Sequence, residues 1–322
     1  MILINSSPRD VSTTQVVRYL KHQNKHFVRL NDTAYIQQIF LINNNFVAVL
    51  DNGEKIDVGS LTSYWYRRGQ FKYHIGKLDH SEHPFISTYN EFCLEELKSV
   101  FDYFLDSIKQ NIPAIGDSRT CLDVNKHIIL SKANKLGLLT PDYLITDNKN
   151  DIISFKKKWG RIISKPLNSS FFYTEDDYWY PVYTEEITDE VIKESPDTFE
   201  LTLFQNLIEK HNEIRTFYLN GRCYSMAIFS QKDPQTKIDF RVYNHTKPNR
   251  TVPFNLPVEI EEKLDALMKD LAYESGSIDL LYTPDKKFYF LEVNPVGQFG
   301  SLSHTCNYNI EKQIANALTD VL

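Results

Sequence analysis

The sequence predicts a protein of the α/β (α+β) class, assembled from two or three subdomains. Three observations predict it. Residues 1–30 read as strand, loop, helix and strand, the order of an open sheet with a covering helix. A long amphipathic helix at 87–109 follows, with Phe92, Leu97, Val100, Phe101, Phe104 and Leu105 on a largely shared face, and it covers the first domain. Near the end, residues 277–300 read as a hairpin of two apolar strands, 278–282 and 288–293, joined by the polar turn Thr283-Pro-Asp-Lys-Lys287.

Length and composition narrow the class further. A chain of 322 residues exceeds a typical single domain and supplies material for more than one core. With 42% hydrophobic and 24% charged residues it is globular rather than disordered or fibrous. Its 20 Phe and 19 Tyr are accounted for mainly by aromatic cores. The formal charge of −6 argues against a general binder of nucleic-acid backbones, whose affinity comes from basic surface. No apolar run is long enough to cross a bilayer and no signal peptide opens the chain, so the expectation is a cytoplasmic protein without a membrane partner. Cys93, Cys121, Cys223 and Cys306 are scattered and match no zinc spacing, which makes reduced structural thiols the expectation.

Residues 1–5 form a short apolar strand and 14–23 a helix with Val16, Val17 and Leu20 as its stripe; 27–30 is the next strand. The loop between the first two, Ser6-Ser-Pro-Arg-Asp10, lacks a glycine pattern for phosphate and reads as a connection. Alternating apolar segments occupy 39–66, with Asp51-Asn-Gly53 as a hairpin turn and Arg67-Arg68 at a strand end. Asn111-Ile-Pro-Ala-Ile-Gly116 punctuates a boundary. A helix is expected over 117–137 carrying Lys126, Lys132 and Lys135, then strands at 143–146 and 161–166, the second ending in Lys165. Residues 167–197 are poorly periodic, and 168–173 are where a loop covering phosphates would fall. Strands follow at 198–203, 213–219 and 222–230, the last two joined by Asn220-Gly221, then an amphipathic helix at 257–274 and a terminal helix at 310–322.

The chemistry concentrates on the hairpin. Strand side chains alternate, so Glu292 and Asn294 share a face, and the hairpin brings Asp279 beside them as a cluster of hard oxygen ligands suited to magnesium. Glu213 and Arg215 share a face for the same reason. An ammonium at the end of an apolar run, as at Lys165, is costly to bury unless an anion meets it. Together, Lys126, Lys165, the segment Phe204-Gln-Asn-Leu-Ile208, Glu213-Ile-Arg215, Asp239-Phe-Arg241, Asp279 and Glu292-Val-Asn294 supply the two lysines, two arginines and acidic hairpin that a nucleoside triphosphate site needs.

This ordered set resembles the ATP-grasp ligases over nearly the whole chain. The resemblance implies a pre-grasp domain at 1–115, a central grasp subdomain at 116–198 and a C-terminal grasp subdomain with the metal site at 199–322. It implies ATP and Mg2+ as cofactors. Lys126 and Lys165 would contact the phosphates; the backbone of Asn206, Leu207 and Ile208 would hold the adenine edge with Gln205 beside it; Glu213 would approach the ribose. Asp279, Glu292 and Asn294 would carry magnesium, and Arg215 and Arg241 would act catalytically on the phosphates and an acyl-phosphate transition state. The segment Lys165-Pro-Leu-Asn-Ser-Ser170 departs from the pattern by lacking the usual glycine.

Within the superfamily, Tyr64-Trp-Tyr-Arg-Arg68, Asn125-Lys126, Ile163-Ser-Lys-Pro166, Glu213-Ile-Arg215 and Glu292-Val-Asn-Pro-Val-Gly-Gln298 look most like the graspetide peptide maturases of the microviridin, grasp-with-spasm type. That resemblance implies a macrocyclase joining Asp or Glu side chains of a ribosomally made precursor to Ser, Thr or Lys side chains. It also implies a leader on the precursor, a homodimer, and a second use of Arg215, Arg241 and Arg67 or Arg68 in accepting core carboxylates. Three further readings stay open here: a ligase acting on a small amino acid or protein tail, like glutathione synthetases or glutamate-adding ligases; a non-catalytic ATP-binding regulatory module; and a structural α/β protein with no nucleotide.

Overall fold

In the computed structural model, the described residues are 1–42, 45–73, 84–122, 124–167, 172–175, 178–181, 183–233, 235–242, 244 and 246–320. The chain separates into two compact units, Met1–Leu122 with Asn309–Leu322, and Asp123–Tyr308.

The first unit begins with β1 (Ile2–Ser6), α1 (Val11–His22) and β2 (Phe27–Asn31). All five residues of β1 are buried, as expected of a parallel strand with neighbours on both edges. Asp10 sets the start of α1 by accepting from Thr13 N at 2.7 Å, which places the helix three residues earlier than its apolar stripe predicts. Next come β3 (Tyr35–Ile42), β4 (Asn45–Leu50), β5 (Lys55–Asp57), β6 (Ser63–Tyr66), β7 (Lys72–Tyr73), α2 (Pro84–Asn111), β8 (Ala114–Ile115) and α3 (Ser118–Leu122). One sheet runs β2-β1-β6-β8, all parallel, and a second runs β5-β4-β3-β7. The C-terminal helix Ile310–Thr319 packs on α1, where Gln23 Nε2 donates to Asn316 Oδ1 at 2.9 Å. Helix α2 covers its unit only through its second half: Phe104, Leu105 and Ile108 are buried, whereas Phe85, Tyr89, Phe92 and Leu94 are exposed.

The second unit holds α4 (Lys126–Lys135), β9 (Tyr143–Asn148), α5 (Lys149–Trp159), β10 (Ile162–Lys165), β11 (Phe172–Glu175), β12 (Tyr178–Pro181), β13 (Glu185–Glu186), α6 (Asp189–Glu194), β14 (Thr198–Asn206), β15 (Asn212–Leu219), β16 (Arg222–Phe229), β17 (Arg250–Phe254), α7 (Val258–Asp270), β18 (Ser275–Tyr282), β19 (Phe288–Asn294) and α8 (Gly300–Thr305). The helix expected over 117–137 is broken in two: Asn125 caps α4 by accepting from His127 N and Ile128 N, and a cap residue has extended backbone that ends any helix before it. Helix α5 was unforeseen by periodicity; Asn148 caps it, and its buried Ile152 packs on Ile162 and Phe204 of the sheet β13-β10-β14-β9. The expected loop at 168–173 lies largely outside the described residues.

The larger sheet, β17-β16-β15-β18-β19, is antiparallel throughout. Its inner face packs Ile214, Ala227, Ile278, Phe290 and Val293 against Leu130 and Ala133 of α4 and Leu264 and Leu267 of α7. Because strand residues alternate, Arg215, Asp279 and Glu292 emerge on the opposite face.

Candidate functional site

Three strands set the centre of the site. Arg215 of β15 stands opposite Asp279 of β18, which stands opposite Glu292 of β19, so the three side chains form one row across the sheet. The register shifts immediately after Asp279, where Leu280 pairs with Phe290 and Leu291 becomes the extra residue of a bulge. Bulges re-aim side chains beside functional sites, and Leu291 here lines the cavity. Arg215 Nη1 lies 3.5 Å from Asp279 Oδ1, and Lys126 Nζ lies 3.1 Å from Glu292 Oε2. The row thus alternates as two adjacent acids flanked by two cations.

A cavity of about 320 Å³ covers this row and extends toward the smaller sheet. Lys126, Lys165, Gln205, Asn206, Leu207, Ile208, Glu213, Arg215, Arg241, Asp279 and Glu292 all line it. Asn294 does not line it; it pairs with Ser277 and its Oδ1 accepts from Val296 N at 3.1 Å. Ile163, Lys165 and Gln205 share a face of the smaller sheet, since Ile163 sits opposite Gln205 and Lys165 lies two residues on. Arg67 and Arg68 belong to the first unit and pair with Asp10 at 3.5 and 2.9 Å; Arg67 is buried, which lowers its pKa to about 10 against the pull of Asp10.

The electrostatics suit an anion and a cation bound side by side. Burial lowers the pKa of Lys165, and the neighbouring Lys126 and Arg241 lower it further, while Glu292 opposes them. Burial raises Asp279, with Arg215 opposing and Glu292 adding to the rise. Burial also disfavours the Glu292 carboxylate, but Lys126 and Lys165 outweigh it and hold its carboxyl below the ordinary glutamate range. Arg241 is gripped by Asp239, which accepts from its backbone N at 3.0 Å, its Nε at 2.9 Å and its Nη2 at 2.7 Å. That grip fixes the guanidinium plane and raises its pKa.

Unsatisfied polar atoms test what the cavity fits. Among the described residues, Gln205 Nε2 and Asn206 Oδ1 are buried without a hydrogen-bond partner, and Asp279 Oδ1 accepts no hydrogen bond. Each such group costs about 1–3 kcal/mol unless a ligand meets it. An amide edge beside apolar Ile163, Ile208 and Leu281 suits a purine, and paired carboxylates beside four cations suit a magnesium-bound polyphosphate. Among the described residues no group of three or more His, Cys, Asp or Glu converges; magnesium bound with phosphates needs only one or two carboxylates.

Two groups near the site carry little signal in the sequence. His127, next to Lys126, has both ring nitrogens buried without a hydrogen bond among the described residues, and its pKa is lowered by burial, Lys165 and Lys126. Lys210 is buried against Glu213; the spacing Lys-x-x-Glu was its only signal, in a segment that is not a helix.

No family model matches the chain, and no curated protein matches it by sequence. Solved structures do. Macrocyclase MdnC from Microcystis aeruginosa MRC, bound with precursor peptide MdnA, is 25% identical with a TM-score of 0.75, covering 99% of each chain. A Chryseobacterium gregarium RiPP-associated ATP-grasp ligase, in complex with ADP and a leader and core peptide, is 24% identical with a TM-score of 0.81, covering 99% of this chain and 96% of that one. The chain has the ATP-grasp ligase fold. Macrocyclase MdnB from Microcystis aeruginosa MRC is 21% identical with a TM-score of 0.70, covering 98% of each chain. The structural neighbours are thus ATP-grasp ligases and macrocyclases of the kind the sequence resembles.

Proposed function

We propose that the protein is an ATP-dependent peptide maturase. It joins Asp or Glu side chains of a ribosomally made precursor peptide to Ser, Thr or Lys side chains, closing macrocycles. The observation that carries this reading is one cavity gathering four cations around an acid pair, in a chain alike over its whole length to a macrocyclase solved with its precursor.

ATP supplies a phosphoryl group that converts the donor carboxylate to an acyl phosphate with a good leaving group, and magnesium neutralises charge during that transfer. Lys126 and Lys165 hold the phosphates. The backbone of Asn206, Leu207 and Ile208 meets the adenine edge beside the unpaired amide of Gln205, and Glu213 meets the ribose. Asp279 and Glu292 would hold magnesium, with Asn294 two residues further along the same strand. Arg241, fixed by Asp239, and Arg215, beside Asp279, stabilise charge at the reacting carboxyl.

The partner is a precursor with a leader and a core rich in Asp, Glu, Ser, Thr or Lys. A homodimer is supported by the exposed Phe85, Tyr89, Phe92 and Leu94 of α2 and the exposed Phe40, Leu41 and Ile42 of β3, because exposed apolar clusters mark association surfaces. Cytoplasmic residence follows from the use of ATP and agrees with four free cysteines.

Incubation with ATP, magnesium and a precursor encoded by a short Thr-, Asp- and Glu-rich reading frame beside the gene tests the proposal by mass spectrometry. Loss of one water per bond is the expected result. Gain of an amino-acid residue mass would indicate a small-molecule or tail ligase, and no ATP consumption with any such peptide would indicate a regulatory module. Light scattering tests the dimer.

A further inference from the structure

Lys210 lies in the connection between β14 and β15, and its side chain is only 7% exposed. A buried ammonium persists only when its donors are met. Two partners meet it here: Glu213 Oε1, and the carbonyl oxygen of Ile238 at 3.0 Å. The same Glu213 oxygen accepts from Ser230 Oγ at 3.0 Å. Among the described residues, the hydrogen bonds to the Glu213 carboxylate therefore gather on Oε1, and the residue lines the cavity.

Ile238 immediately precedes Asp239, the residue that grips Arg241. The loop leading to it is anchored at its base, where Thr236 Oγ1 donates to Ser230 O at 2.9 Å and Gln231 Nε2 donates to Lys237 O at 3.2 Å. A continuous set of contacts therefore runs from Glu213 through Lys210 and Ile238 to Asp239 and Arg241. We propose that Lys210 is a positioning residue that ties the carboxylate of Glu213 to the loop bearing Arg241, so that the ribose end and the phosphate end of a nucleotide site are held as one unit. The proposal rests on the reading of the cavity as a nucleotide site.

Adenosine and ADP separate the two ends, since only ADP reaches the phosphate side. Their affinities are measured by calorimetry for wild type, Lys210→Met, Glu213→Gln and Arg241→Met, each checked for folding by circular dichroism and melting. Loss of a hydrogen bond to a charged group corresponds to roughly ten- to a hundredfold in binding. Glu213→Gln is expected to weaken adenosine and ADP alike, and Arg241→Met to weaken ADP alone. Lys210→Met is expected to weaken adenosine about tenfold and ADP by about a further tenfold, a split that general destabilisation does not produce. The double variant Lys210→Met/Glu213→Gln should bind adenosine no worse than the weaker single variant, because both remove the same contact.

Equal losses for adenosine and ADP in Lys210→Met would overturn the tie to the Arg241 loop, and wild-type affinities would overturn the proposal entirely. If Lys210→Met does not fold, Lys210→Gln keeps a donor while losing the charge, and the same split is required of it. Wild-type protein that binds no ADP would overturn the nucleotide reading itself, and the role of Lys210 with it.

Discussion

Arg215 and Asp279 stand directly opposite each other on neighbouring antiparallel strands, with Nη1 3.5 Å from Oδ1, and the same guanidinium reaches Gln298 O at 3.5 Å through Nη2. One arginine therefore joins the acid row of the sheet to the turn that follows β19. Its planar fork makes both contacts at once, which a lysine cannot do. Arg215→Met is expected to lower ATP turnover with a precursor peptide by roughly a hundredfold or more, the scale of losing a preorganised transition-state donor. ADP affinity should change far less. Arg215→Lys should fall between, and steady-state kinetics beside equilibrium binding would show the separation.

Glu292 faces Asp279 on one side and Lys126 on the other, at 3.1 Å. Replacing it by Gln removes one of two adjacent carboxylates without opening a cavity, because the side chain is on the lined face rather than in the core. Glu292→Gln keeps the shape of the side chain and should stay folded in the absence of nucleotide, but it should melt below wild type, because Lys126 and Lys165 lose the carboxylate that offsets their charge. Magnesium should increase the thermal shift produced by ADP in wild type and leave it unchanged in the variant. An equal magnesium increment in both proteins would remove Glu292 from the metal site.

Glu213 is pushed up to about 7, first by burial and then by the charge of Asp279, with Lys210 and Ser230 pulling the other way. A ribose hydroxyl donates best to an ionised carboxylate, so the affinity for ADP should fall as pH drops through about 7 and level off once Glu213 is protonated. The sign for the free protein is opposite. A folded pKa raised above the unfolded value gives a stability contribution that is full below the unfolded value and lost as pH rises through about 7. Glu213→Gln should flatten the pH dependence of ADP binding across this range, as measured by calorimetry in matched buffers.

The parts of this arrangement that follow from period two were legible in the sequence. Alternation alone sets Glu213 beside Arg215 and sends both away from Ile214, and the short turn before Phe288 brings Glu292 back to Asp279. The bulge at Leu291 was not legible, because an extra residue in one strand is defined only against its partner. Helix α5 leaves no apolar period because only Ile152 is buried along it, and the break at Asn125 leaves none because a cap depends on backbone conformation as well as residue type. Lys210 is the clearest case of tertiary context: its two partners come from different strands and loops, and no spacing in the chain encodes Ile238 beside it. The C-terminal helix likewise finds α1 across nearly the full length of the chain.

The turn after β19 owes its shape to Gly297. A Cβ there would stand 2.3 Å from Ser277 Cβ, 2.5 Å from Ser277 Oγ and 3.0 Å from Asn294 O. Ser277 is buried in β18 and donates to Gln298 O at 3.1 Å, so neither side of the contact can swing away. Gly297→Ala should therefore cost about 1–3 kcal/mol, the usual penalty for overpacking a tight contact, and lower the melting temperature accordingly. The shift would also carry Gln298 O away from Arg215, so turnover should fall even at temperatures where the variant is fully folded. Ser277→Gly in the same chain removes the atoms that the new methyl meets, and it should restore part of the lost stability. A Gly297→Ala protein that melts like wild type would mean that the strand and the turn do not approach this closely, and that the position of Arg215 does not depend on them.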